Sequence, residues 1–111
     1  MAPESGRKRK VGKYSVPDAP AAGAKTPLAF AFASCQHFED GFFVGQRHLA
    51  AEDLDLMVFL GDYIYEGASP AAALRAHHGL EIRTLDDYRR RYAQYKSDPH
   101  LQAAHARCPW L

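Results

Sequence analysis

The stretch LDLMVFLGDYIYEG, Leu54 to Gly67, decides the fold. From Leu54 to Leu60 it is apolar but for Asp55, the pattern of a central strand covered on both faces. The run stops at Gly61, and the chain then delivers a carboxylate, Asp62, and two phenols, Tyr63 and Tyr65, to the strand's end. Upstream, LAFAFA (Leu28 to Ala33) has no charge and no breaker, and its shortness favours a strand over a helix. That strand expires at Ser34-Cys35-Gln36, which puts Cys35 at its C-terminal tip. Between the two, GFFVGQRHLAAED carries Phe42, Phe43, Gln46, Leu49 and Ala50 at spacings of three and four, consistent with a helix packed against a sheet. Strand, helix, strand in this length is a βαβ unit, whose strands run parallel with a right-handed crossover. Both tips then point the same way, and Cys35 and Asp62 arrive at one sheet edge, where ligands of open α/β sheets bind.

Beyond Gly67, GASPAAALRAHHGLEIR reads as an irregular loop with at most a short helical turn. TLDDYRRRYAQYKSD reads as a helix: Thr84 caps it, with Asp87 at the reciprocal position of a capping box. Leu85, Tyr88, Tyr92 and Tyr95 draw a stripe expected to be its core face. Asp86 with Arg90 and Asp87 with Arg91 form expected i,i+4 pairs with the acid on the better, N-terminal side. Asp98-Pro99 starts a further helix with proline at its first position, running to about Arg107 before Pro109. No internal repeat is present. Residues 1–26, rich in Lys, Arg, Pro, Ala and Gly, read as a flexible or extended lead-in.

With 111 residues and 47% hydrophobic, the chain has the size of one small domain and enough apolar material for a core, without having to be a complete domain. Fourteen basic residues against 13 acidic give a formal net charge of +1, so no global field argues for nucleic acid or an acidic membrane. The basic cluster Arg7 to Lys10 reads as a solvated tail. Two cysteines, Cys35 and Cys108, stand far apart with no CxxC spacing, which excludes a redox motif or zinc ribbon and leaves their pairing open. No run approaches the roughly 18 apolar residues of a membrane span, and no basic region leads into the apolar core of a signal peptide. A signal in a longer parent stays open.

Each chemical candidate has a bland counterpart. Gly61 lets the chain leave the strand at a tight angle, and Asp62 is placed to reach a metal or a nucleophilic water, yet Gly-Asp is also an ordinary turn dipeptide. One of Tyr63 and Tyr65 suits the core and one a ligand role, or both suit the core. Cys35 is either a small buried hydrophobe or a ligand. His37 beside it invites zinc, but tetrahedral zinc needs more ligands than the scattered His48, His77, His78, His100 and His105 offer, residues that read as surface or capping positions.

Three segments in order, FAFASCQ (Phe30 to Gln36), EDLDLMVFLGDYIYEG (Glu52 to Gly67) and TLDDYRRRYAQYKSDPHLQAAHARCPWL (Thr84 to Leu111), together resemble the PhoD-like alkaline phosphatases, a branch of the metallophosphoesterases. The resemblance covers most of the chain after about residue 27. It implies an α/β fold: a partial metallophosphoesterase-like βαβ unit followed by helices, with an incomplete sheet. Residues 27–111 would be the N-terminal part of the catalytic domain, and 1–26 the remnant of a preceding region. It further implies a ferric iron (Fe3+) held partly by thiolate and tyrosinate, with calcium (Ca2+) beside it. The family's cysteine matches at Cys35, its bridging aspartate at Asp62, also the catalytic residue, and its ligand tyrosine at Tyr65. Ferric iron is a hard acid that favours phenolate and carboxylate oxygen and holds a thiol deprotonated.

The implied activity is hydrolysis of small-molecule phosphate mono- or diesters by a metal-activated hydroxide, in an exported or cell-envelope parent, with no nucleic-acid reader, no membrane span and no partner protein identified. The family's chain continues beyond the PWL segment into a WDDHE-like motif and later asparagine and histidine ligands. The expectation is therefore a fragment carrying one shell of a two-sided site, active as part of a longer parent or else catalytically silent, binding at most a metal or a partner. A flavodoxin-like phosphate or nucleotide binder is disfavoured, because no Gly-rich phosphate loop follows either strand.

Overall fold

The structure, a computed structural model, describes residues 9–11, 14–16, 22–23 and 27–111. The expected lead-in lies largely outside the described residues. Within it, β1 (Arg9–Val11) and β2 (Tyr14–Val16) pair antiparallel. The rest runs β3 (Phe30–Ala33), α1 (Val44–Ala51), β4 (Leu56–Phe59), α2 (Leu85–Lys96) and α3 (Pro99–Arg107).

The βαβ expectation holds: β3 and β4 are parallel, in the register Phe30↔Leu56 to Ala33↔Phe59. A third parallel segment, not foreseen, lies along the other edge of β4. Met57 N–H donates to the Pro109 carbonyl at 2.9 Å, Leu111 N–H to Met57 at 2.8 Å, and Phe59 N–H to Leu111 at 2.7 Å. β4 is thus hydrogen-bonded on both edges, and its Met57 is 1% exposed. The strand read from Leu54 to Leu60 is nevertheless shorter and less covered than expected. Leu60 is exposed, as are Phe30 and Phe32 on one face of β3, because no described element lies over that face.

α1 also departs from expectation. Its main helical neighbour is α3, to which it is tied where Arg107 donates to the Glu52 carbonyl at 2.7 Å and pairs with Asp53 at 2.6 Å. The core gathers where the 35–43 turn meets α2 and α3: Phe38, Phe43, Tyr95 and Leu101 form a buried cluster flanked by Tyr63, Ile64, Tyr65 and Trp110. Arg75 lies over Phe38 at 3.8 Å and Phe43 at 4.5 Å, donates to the Phe38 carbonyl and pairs with the buried Asp98. A cation bonded on its rim and stacked on its faces is compatible with such a core.

Both helix caps form as their residues dictate. Thr84 and Asp87 close a reciprocal box at 3.2 and 2.9 Å, and Asp98 accepts from the His100 and Leu101 N–H groups at 2.8 and 3.0 Å. The surface pairs shift by one residue, to Asp86 with Arg89 and Asp87 with Arg90, because Arg91 turns inward. The expected stripe holds only at Tyr95, for the same reason. α2 buries Arg91, Gln94 and Tyr95, while Leu85, Tyr88 and Tyr92 remain exposed. No helix among the described residues is long and apolar enough to cross a membrane.

Candidate functional site

Parallel pairing carries the chain from both strand tips into one place, where the two tips are stitched together. Leu60 N–H donates to Ala33 at 2.8 Å, Cys35 N–H to Gly61 at 3.1 Å and Gln36 N–H to Asp62 at 3.2 Å. Buried Gln36 adds its side chain, donating to the Tyr63 carbonyl at 3.1 Å while accepting from Gln46 at 3.1 Å. Cys35, Gly61 and Asp62 all adopt positive φ, at 58°, 129° and 53°. For non-glycine residues this conformation is uncommon and costly, and it clusters at functional sites.

The side chains that follow converge. The Cys35 thiol lies 3.6 Å from Asp62 Oδ2, and the Tyr65 hydroxyl donates to the same oxygen at 3.3 Å. Cys35 is exposed, which removes its reading as a small core hydrophobe. Both phenols pack against the core cluster, but their hydroxyls diverge. Tyr63 packs on Phe59 and Tyr92, with its hydroxyl 2.7 Å from His105 Nε2, whereas Tyr65 turns to Asp62. Burial, then hydrogen bonding to Cys35 and the charge on Asp62, drive the Tyr65 phenol well above its usual range. Thiol, carboxylate and phenol therefore meet as three potential anionic donors that repel one another when ionised, and a cation among them would reverse that sign.

The donor set fits the ion implied by the resemblance as a partial ligand shell: one sulfur and two oxygens on one side. Among the described residues no group of three or more His, Cys, Asp and Glu is placed to hold a metal; the third donor gathered here is the Tyr65 phenol. His37 instead lies against the Tyr65 ring, centroids 4.2 Å apart.

Beneath Tyr65 is a buried polar network that the sequence reading missed. His77, expected at a surface or capping position, is buried. Its Nδ1 lies 2.6 Å from Glu39 Oε1 and 3.0 Å from the Gly67 carbonyl, and its Nε2 is 2.9 Å from the Tyr95 hydroxyl. Burial outweighs the Gly67 carbonyl and Glu39 and lowers the His77 pKa. Arg91, 2% exposed, donates to the carbonyls of Tyr65, Gly67 and Leu80. The spacing of Arg91 and Tyr95, one helical turn apart on α2, was the available signal.

A family model described as "PhoD-like phosphatase" matches residues 30–111. The chain belongs to that family. It is 51% identical over 98 residues to alkaline phosphatase D of Bacillus subtilis (strain 168), an alignment covering 83% of this chain and 17% of the relative. It also superposes on a solved structure titled "Structure of PhoD" with a TM-score of 0.77 at 50% identity, covering 87% of this chain and 20% of that one. The PhoD-like chain thus spans about a fifth of these relatives' length. Its two-stranded parallel unit with following helices is a partial α/β unit of the PhoD fold.

Proposed function

We propose that this chain contributes one side of the metal centre of a phosphoesterase that releases phosphate from small organic mono- or diesters. The observation that carries the reading is the convergence of Cys35, Asp62 and Tyr65 on one oxygen at the paired strand tips. Family membership, and a relative named alkaline phosphatase D, support the reaction class. Cys35, Asp62 and Tyr65 are the residues that would hold a ferric ion, with calcium as the companion ion. Such ions, when bound, would supply Lewis acidity toward a phosphoryl oxygen and toward water. The chain's own contribution is to hold three acidic groups at fixed spacing, with left-handed backbone at two of them, so that a cation finds its donors already gathered. Asp62, nearest to both other donors, is the residue on which that assembly turns.

The test is titration of the purified chain with ferric and calcium ions, followed by an aryl phosphate assay. A visible thiolate- or phenolate-to-iron band, lost in Cys35→Ala and Tyr65→Phe, is the expected result. Absence of both band and bound metal in wild type would sink the ligand assignment. A second reading, a catalytically silent chain that at most binds a metal or a partner, is favoured by one fact: the chain spans 17% of its relative. Phosphate release by the isolated chain would eliminate it.

A further inference from the structure

We propose that Arg91 is the positioning residue for Tyr65, and that the buried pair His77 and Glu39 holds Arg91 in place. The proposal rests on the reading of Tyr65 as a ligand. Arg91 touches none of the three converging side-chain groups. Its guanidinium grips main chain instead: one nitrogen donates to the carbonyls of Tyr65 and Gly67, the other to Leu80 at 3.1 Å. Three carbonyls from two stretches of loop thereby meet the two terminal nitrogens of one planar fork, a spread that a single ammonium nitrogen does not offer, while Nε has no partner among the described residues.

His77 fixes the other side of the grip. Its Nδ1 lies 2.9 Å from the Arg91 guanidinium and 3.0 Å from the Gly67 carbonyl, while Glu39 stands 2.6 Å from the same atom. Both charges are buried, with Glu39 5% exposed and Arg91 2%. A charge so buried costs stability unless it is partnered: the partners of Arg91 are the carbonyls of Tyr65, Gly67 and Leu80, and that of Glu39 is His77. The loop carries no helix or strand of its own between β4 and α2, so this clamp takes the place of regular structure. With the Tyr65 carbonyl fixed, its ring rests on His37 and its hydroxyl meets Asp62.

The experiment uses the full chain labelled with 13Cζ-tyrosine, the Tyr65 signal being assigned by its loss in Tyr65→Phe. In Arg91→Lys, and in Glu39→Gln, the Tyr65 signal of the metal-free chain is expected to move toward that of free tyrosine. The Tyr88 and Tyr92 signals and the far-UV circular dichroism should stay as in wild type. Affinity for ferric ion should fall about tenfold, the usual size of an outer-shell loss. A Tyr65 signal unmoved in folded Arg91→Lys overturns the proposal. If Arg91→Lys does not fold, the isosteric Glu39→Gln decides by the same criterion. A wild-type chain that binds no ferric ion defeats the ligand reading of Tyr65, whereas the metal-free spectra judge the positioning role separately.

Discussion

Asp62 holds φ at 53° and Cys35 at 58°, in a region where an L-residue costs roughly 1–2 kcal/mol and aspartate somewhat less. Nothing about packing demands Asp62 there, since it is exposed. Asp62→Gly removes strain and carboxylate together, so the unfolding free energy from urea titration should be unchanged or raised by up to about 1 kcal/mol. Bound ferric ion should fall to background in the same protein. A marked destabilisation would show instead that the carboxylate serves the fold. Gly61 predicts the opposite sign. A Cβ there meets nothing within 4 Å, yet φ of 129° is closed to ordinary side chains, so Gly61→Ala should cost about 1–3 kcal/mol through backbone strain alone. The positions of Cys35 and Asp62 were legible because parallel strands of matched direction leave little freedom at their tips. The choice between Tyr63 and Tyr65 was not legible. Period-two alternation puts both on one side, and that rule lapses once Gly61 takes the chain out of strand geometry.

At the scale of elements, α2 and α3 separate what a cap contributes from what a buried charge contributes. Thr84 caps at an exposed helix start, and Thr84→Ala should cost about 1 kcal/mol. Asp98 caps α3 and also pairs with Arg75 at a site where its side chain is 2% exposed. Asp98→Ala should therefore cost about 3 kcal/mol or more, because it strands a guanidinium lying over Phe38. Equal costs in chemical denaturation would mean that the Arg75 pair adds nothing. Helix boundaries were readable because caps are local chemistry: Thr84 with Asp87, and Asp98 with Pro99, name their own positions. The buried face of α2 was not readable, because its cover is a loop whose carbonyls need donors. That requirement selects Arg91 and Gln94, the latter donating to the Ala76 carbonyl at 2.9 Å. Periodicity of apolar residues carries no record of where a loop will run.

Across the whole molecule, uneven burial sets two expectations. Phe30 and Phe32 are 57% and 69% exposed on a strand whose outer edge is unpaired among the described residues. Such an edge templates association, so Phe32→Lys should raise the monomer fraction in sedimentation without altering circular dichroism. The second concerns pH. His77 and His105 both have lowered pKa values, chiefly because burial penalises the imidazolium; Arg91 and His37 add repulsion at His77, and Lys96 at His105, while the Gly67 carbonyl and Glu39 oppose the shift at His77. Well above about pH 6.5 both residues are neutral in folded and unfolded chains alike, and they contribute no slope. Below it the unfolded chain binds protons that the folded chain refuses, so stability falls as pH falls toward the folded-state values. The urea midpoint should be flat from about pH 8 to 7 and decline between about 6.5 and 5, above the range where ordinary carboxylates titrate. His105→Gln removes one of the two protons and should make that decline shallower. A midpoint that rises as pH falls through this window would mean that Glu39 governs His77 and the buried imidazole is charged in the folded protein.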